Sequence, residues 1–397
     1  MNLPPTENGG PLYKGTGELQ PDVRYAERSW PAGPPWRMFD TPPVMPPPPE
    51  DAEADRRLGP PGAARRPRPE EVRLVNAALL LRRPLLVTGR PGVGKSGLAY
   101  RIARELRLGR VLHWAVTSRT TLVSGLYEYD AIGRAQAGQA ASAGKQAAST
   151  GKQAASAGKQ AASAGKQAAR AGEPTARAGE PTASAGNPSA RAGEPTATGN
   201  FVQLGPLGTA LLPYRLPRVL LIDEIDKCDI DLPNDLLTLF EDGCFAVPPL
   251  VRVKPQEPTA VVHTADPEGT AEITSGVVRC HAFPVIVMTS NGEREFPEAF
   301  MRRCLRLDIP DPDPAALGEL VAAHFGDRLG ARQEKLIQDF LRRSDRTGGL
   351  AADQLLNAAH LLTSGLHPRH TEADEEDWAQ LLEAIWHPLT GEGAAPA

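Results

Sequence analysis

Cysteine is sparse in this chain, with four residues in 397 (Cys228, Cys244, Cys280 and Cys304) and no C-x-x-C pair. That excludes a secreted-type disulfide framework and fits a reducing compartment. No run approaches the ~18 apolar residues that a membrane-spanning helix needs. Met1–Gly10 has neither a basic n-region nor an apolar h-region, so the start does not read as a signal peptide. Charge of one sign is also missing: a net charge of −4 creates no field that calls for nucleic acid or an anionic membrane. The eight histidines form no H-E-x-x-H pair, so no zinc site of that kind is expected. A soluble cytoplasmic protein is the expectation. Aromatics are only 5% of residues, whereas 38 glycines and 40 prolines make up roughly one residue in five, against a usual ~12%. A single uniformly packed domain is excluded, and a globular core diluted by low-complexity segments is implied.

Two segments hold the excess. Residues 1–69 contain 17 prolines, including Pro46–Pro49, and show neither a helical nor a strand period, so an extended or disordered arm is expected. Trp30, Trp36, Met38 and Phe39 lie close together within it and suit docking onto another surface. The second segment, 134–200, repeats every seven residues, with Gly144, Gly151, Gly158 and Gly165 followed by Gly172, Gly179, Gly186 and Gly193. A coiled coil is excluded, because no large apolar side chain is available for an a/d seam. Each repeat also carries a Gly, which costs a helix roughly 1 kcal/mol relative to Ala. A disordered insertion is expected.

The remainder alternates strand-like and helix-like patterns. Pro69–Arg82 opens with Pro and two acids before an apolar helical face. Pro84–Thr88 is a short apolar run suited to a buried parallel strand. Directly after it stand Gly89, Arg90, Pro91, Gly92, Val93, Gly94, Lys95 and Ser96, and then a helical stretch from Gly97 to Leu106. This is the G-x-x-x-x-G-K-[ST] phosphate loop, with strand before and helix after. Its glycines allow backbone N–H groups to approach phosphate oxygens, and the helix N-terminus adds partial positive charge. Lys95 would reach the β- and γ-phosphates, and Ser96 would ligate Mg²⁺.

A second strand is expected over Val111–Val116, and a third over Arg218–Ile222, running into Asp223-Glu224-Ile225-Asp226. An apolar strand ending in Asp-Glu is a Walker B pattern, in which Asp223 holds Mg²⁺ and Glu224 polarises the attacking water. In a parallel sheet both would sit at the strand's carboxyl end beside the loop. Asp231–Gly243 reads as a capped helix, and 245–283 as β-ribbon with loops. Pro284–Asn291 is another buried strand, whose tip, Asn291, could orient a water. Arg302 and Arg303 then stand together at a helix end, and helical patterns recur near 315–325, 332–343, 350–363 and 374–386.

In this order the motifs resemble AAA+ ATPases, and within them the MoxR-like group related to dynein-type modules. Leu204-Gly-Pro-Leu-Gly208 is similar to that group's Gly-Pro-Leu segment. The resemblance implies an α/β fold: a P-loop NTPase αβα sandwich with a parallel sheet over 70–310, interrupted by 134–200, and a small helical lid over 311–397. It implies ATP and Mg²⁺ as cofactors, a homo-oligomeric ring, often a hexamer, and remodelling of a protein client, commonly with a partner bearing a von Willebrand factor A domain. By position, Asn291 resembles the first sensor, and Arg302 or Arg303 the arginine finger. The lid helix lacks the arginine that many relatives place there as second sensor; Arg346 stands just before it. Two other classes remain open on the sequence: a nucleotide-switched assembly module with little turnover, and a DNA-directed NTPase motor of restriction type. The intact Glu224 argues against the first, and the want of a basic stripe or reading head against the second.

Overall fold

Apolar runs punctuated by Gly and Pro build the centre of the molecule. The computed structural model describes residues 11–60, 66–140, 142, 197–330, 332–347, 349–364 and 372–387. In chain order the strands are β1 (Leu85–Thr88), β2 (Leu112–Ala115), β3 (Tyr127–Tyr129), β4 (Val202–Leu204), β5 (Val219–Asp223), β6 (Cys244–Ala246), β7 (Thr259–His263), β8 (Thr270–Thr274), β9 (Val277–Arg279), β10 (Val285–Ser290) and β11 (Leu305–Asp308). Five of them form one parallel sheet in the order β11-β1-β10-β5-β2.

Alternate residues of each central strand enter different apolar clusters. Leu86, Leu220 and Ile222 pack on one face, and Leu85, Val87, Val219 and Leu221 on the other. A sheet buried on both faces must be covered on both. The helices Pro69–Leu81 and Gly97–Glu105 pack on the second face, and Leu232–Asp242 on the first. The α/β class and the parallel sheet agree with the sequence expectation. The fifth strand, β11, was not anticipated; its apolar residues are only Leu305 and Leu307, alternating with Arg306 and Asp308.

A second sheet, β3-β4-β7-β8, and the ribbon β6-β9 flank the first. β3 and β4 pair antiparallel through Tyr127↔Leu204 and Tyr129↔Val202. The two ends of the repeat-bearing segment therefore leave from one hairpin stem. Residues 131–140 continue from the stem as helix, where a disordered segment was expected from Arg134. The repeats at 143–196 lie outside the described residues. Asp231, expected to cap the next helix, makes no side-chain cap bond, whereas Gly243 does end it at φ 58°.

The arm differs from its expectation. Residues 11–60 carry the short helices Val23–Ser29 and Ala52–Leu58 and pack on the core. Tyr13 is fully buried. Its hydroxyl donates to Glu71 at 2.7 Å, and its backbone N–H donates to Asn76 at 3.0 Å. The Glu105 carboxylate accepts from the backbone N–H groups of Lys14 and Gly15. Phe39 stacks on Phe283, and Arg82 lies over Trp30, while Trp36 and Met38 stay exposed. Specific long-range hydrogen bonds thus anchor a segment that has no periodicity.

At the other end, helices Pro314–Phe325, Arg332–Thr347, Ala352–Thr363 and Glu372–Ile385 enclose an apolar cluster of their own around Leu317, Ile337, Phe340, Leu355 and Trp386.

Candidate functional site

The loop Gly89–Ser96 leaves the carboxyl end of β1, between the ends of β10 and β11, where open α/β sheets place ligands. Gly89, Gly92 and Gly94 have φ of 147°, 77° and 85°, which a side chain at these positions would disfavour. A Cβ on Gly92 would also collide with Ala351, because the Ala352 N–H donates to the Gly92 carbonyl at 3.2 Å. The helix Ala352–Thr363 thus starts directly over the loop.

Lys95 is buried in the loop's mouth. Its ammonium donates to the carbonyls of Gly89 and Arg90, both at 2.8 Å, and to Asn291 Oδ1 at 2.7 Å. Burial lowers its pKa, with Asp226, Asp223 and Glu224 pulling it back up. Next to it, the Ser96 hydroxyl donates to Asp223 Oδ1 at 2.7 Å. Asp223 ends β5, and register alone brings it beside the loop, since β5 pairs with β10 and β10 with β1.

Asp223 is held by more partners than the sequence indicated. Thr289 donates to its Oδ1 at 2.6 Å, and His113 Nε2 lies 3.3 Å from its Oδ2. Burial opposes the charge, but the contacts from His113, Thr289 and Ser96 outweigh it and hold the carboxyl at about 2. Glu224 follows in a left-handed conformation, φ 60°, with its N–H donating to Thr289 Oγ1 at 2.8 Å. Its carboxylate meets Lys227 at 2.8 Å. Asn291 completes the group at the tip of β10. Lys95, Ser96, Asp223, Glu224 and Asn291 therefore converge, drawn from three adjacent strand ends.

They line a cleft of about 590 Å³. Its further walls are Tyr13 and Gly15 of the arm, Arg57 of the helix Ala52–Leu58, and Leu317, Leu320 and Asp353 of the C-terminal helices. The arm's contribution was not legible in the sequence. Arg302 and Arg303 are not brought to this cleft. Arg303 pairs with Glu241 at 2.6 Å, while Arg302 is 75% exposed and only 3.7 Å from Glu298. Arg346 also stays away, lining a groove between the helices Arg332–Thr347 and Glu372–Ile385.

Chemically, the site offers a lysine, open-φ glycines at the start of a nine-residue helix, and two hard oxygen donors, Ser96 Oγ and an ionised Asp223. That donor set suits Mg²⁺ rather than a soft metal.

No protein-family model matches the chain, and no curated protein matches its sequence. Among matching solved structures is one from work on the structural basis of katanin self-assembly. It is 13% identical, covers 76% of this chain and 70% of that one, and has a TM-score of 0.28. A likeness at that score carries no weight for function.

Proposed function

We propose that the chain is a MoxR-like AAA+ ATPase that binds ATP with Mg²⁺ at Gly89–Ser96 and hydrolyses it. The observation that carries this reading is the 2.7 Å contact between Ser96 Oγ and Asp223 Oδ1, which joins the two motifs read separately in the sequence. In this reading, loop N–H groups and Lys95 hold the phosphates, and Ser96 and Asp223 hold Mg²⁺. Bound Mg²⁺ would supply charge neutralisation at the β- and γ-phosphate oxygens. Glu224 would accept a proton from, and so orient, the attacking water, and Asn291 would fix that water from the neighbouring strand.

The four C-terminal helices would act as a lid, since the helix at Ala352 already touches the loop. The cation for the transition state would come from the next subunit of a ring. Of the two candidate arginines, Arg302 is the more accessible to a neighbour. The ring would remodel a client protein, for which the resemblance implies a partner with a von Willebrand factor A domain.

One observation favours the rival reading, a nucleotide switch with little turnover: Lys227 engages the Glu224 carboxylate. Phosphate release separates the two. Turnover per subunit should rise with protein concentration as shared sites form, and Glu224→Gln should keep ATP bound while turnover stalls. Wild-type turnover no faster than that of Glu224→Gln would support the switch.

A further inference from the structure

Asp226 belongs to none of the motif positions assigned above, yet it is 3% exposed and holds the backbone of Asn291, one of the cleft residues. It sits in the 3-10 turn Ile225–Lys227, directly after Glu224. Its Oδ2 accepts two backbone N–H groups, from Asn291 at 2.8 Å and from Glu293 at 3.2 Å. Its Oδ1 is buried and has no hydrogen-bond partner among the described residues. Asp226 Oδ2 thus ties the residues just past β10 to the turn that carries Glu224, beside the Glu224 N–H contact to Thr289. On its other side, the Asn291 side chain accepts from Lys95, and its Nδ2 donates to Glu293 Oε1 at 3.3 Å. A buried carboxylate with one orphan oxygen is a costly arrangement, and it calls for an explanation beyond packing.

Resting on the nucleotide reading above, we infer that Asp226 is a positioning residue. By fixing the backbone of Asn291, it sets the distance between that side chain, Lys95 and the Glu224 turn. The loop Gly89–Ser96, the turn after β5 and the tip of β10 then move as one unit. Asp226 itself touches no nucleotide in this arrangement. Its loss should therefore spare binding and damage turnover, because misplacing a catalytic group by even ~1 Å can cost about a hundredfold in rate.

The test compares Asp226→Ala and Asp226→Asn in the full chain. The Asn side chain keeps an oxygen that can accept from the Asn291 N–H, so it preserves the tether and removes only the charge. Asp226→Ala should lower kcat by roughly tenfold or more with KM for ATP changed less than about threefold, and Asp226→Asn should recover most of the loss. Hydrogen exchange without nucleotide gives a second readout: the Asn291 and Glu293 amides should exchange faster in Asp226→Ala and near wild-type rates in Asp226→Asn. Unchanged kcat in Asp226→Ala, or unchanged exchange at those amides, would overturn the inference while leaving the nucleotide reading intact. Equal damage in both variants would assign the effect to charge and overturn it as well. A wild type that binds ATP but does not turn it over would defeat the hydrolase reading in favour of the switch, and the inference with it.

Discussion

Asp223 takes its hydrogen bonds from Ser96, Thr289 and His113, which lie 127, 66 and 110 positions away in the chain. None of those distances is visible in a motif, although Ser96 and Asp223 were each legible from local pattern. The protein folds around the ionised form. Asp223 is held at about 2, against an ordinary 3.8, so its ionisation stabilises the folded state by roughly 2 kcal/mol. The sign follows from the depressed value: the contribution is complete above about pH 4 and is lost as pH falls through about 2. In urea unfolding, wild type should therefore lose stability relative to Asp223→Asn between about pH 5 and pH 2.5. An equal gap at both pH values would show that the contacts on Asp223 do not select its charged form.

Among the elements, the strand–loop–helix unit from Leu85 to Glu105 was readable because Gly and Pro punctuate it and the apolar runs have the right length. β11 was harder, having only two inward apolar residues. The arm was misjudged for a different reason. Proline content reports the unfolded ensemble's stiffness and says nothing of pairings 63 or 90 residues away, such as Tyr13 with Asn76 and Gly15 with Glu105. If that packing is real energy, removing the Tyr13 ring should destabilise the whole domain. Tyr13→Ala should cost about 3–5 kcal/mol, as for other buried aromatics, and Tyr13→Phe only about 1 kcal/mol through the lost hydroxyl contact. Thermal or denaturant unfolding measures both, and a Tyr13→Ala cost below ~1 kcal/mol would return the arm to a loosely attached segment. The helix Arg332–Thr347 shows the converse gap. Arg332, Lys335, Arg342 and Arg346 follow one face of it around Asp339, which pairs with Arg342, so a partly neutralised basic cluster stands where no basic stripe was legible in the sequence.

For the whole molecule, the arrangement brings three separate regions onto one cleft: the arm through Tyr13 and Arg57, the sheet through its strand ends, and the C-terminal helices through Leu317 and Asp353. A ligand that binds this cleft and not the unfolded chain would stabilise the fold. The proposed activity requires phosphate binding at Gly89–Ser96, and Lys95 is the cation inside that loop. Isothermal titration of ATP with Mg²⁺ into the full chain and into Lys95→Ala tests this most directly. The wild type should bind saturably, and Lys95→Ala should show no measurable binding. Binding by Lys95→Ala at wild-type affinity would contradict phosphate binding at that loop.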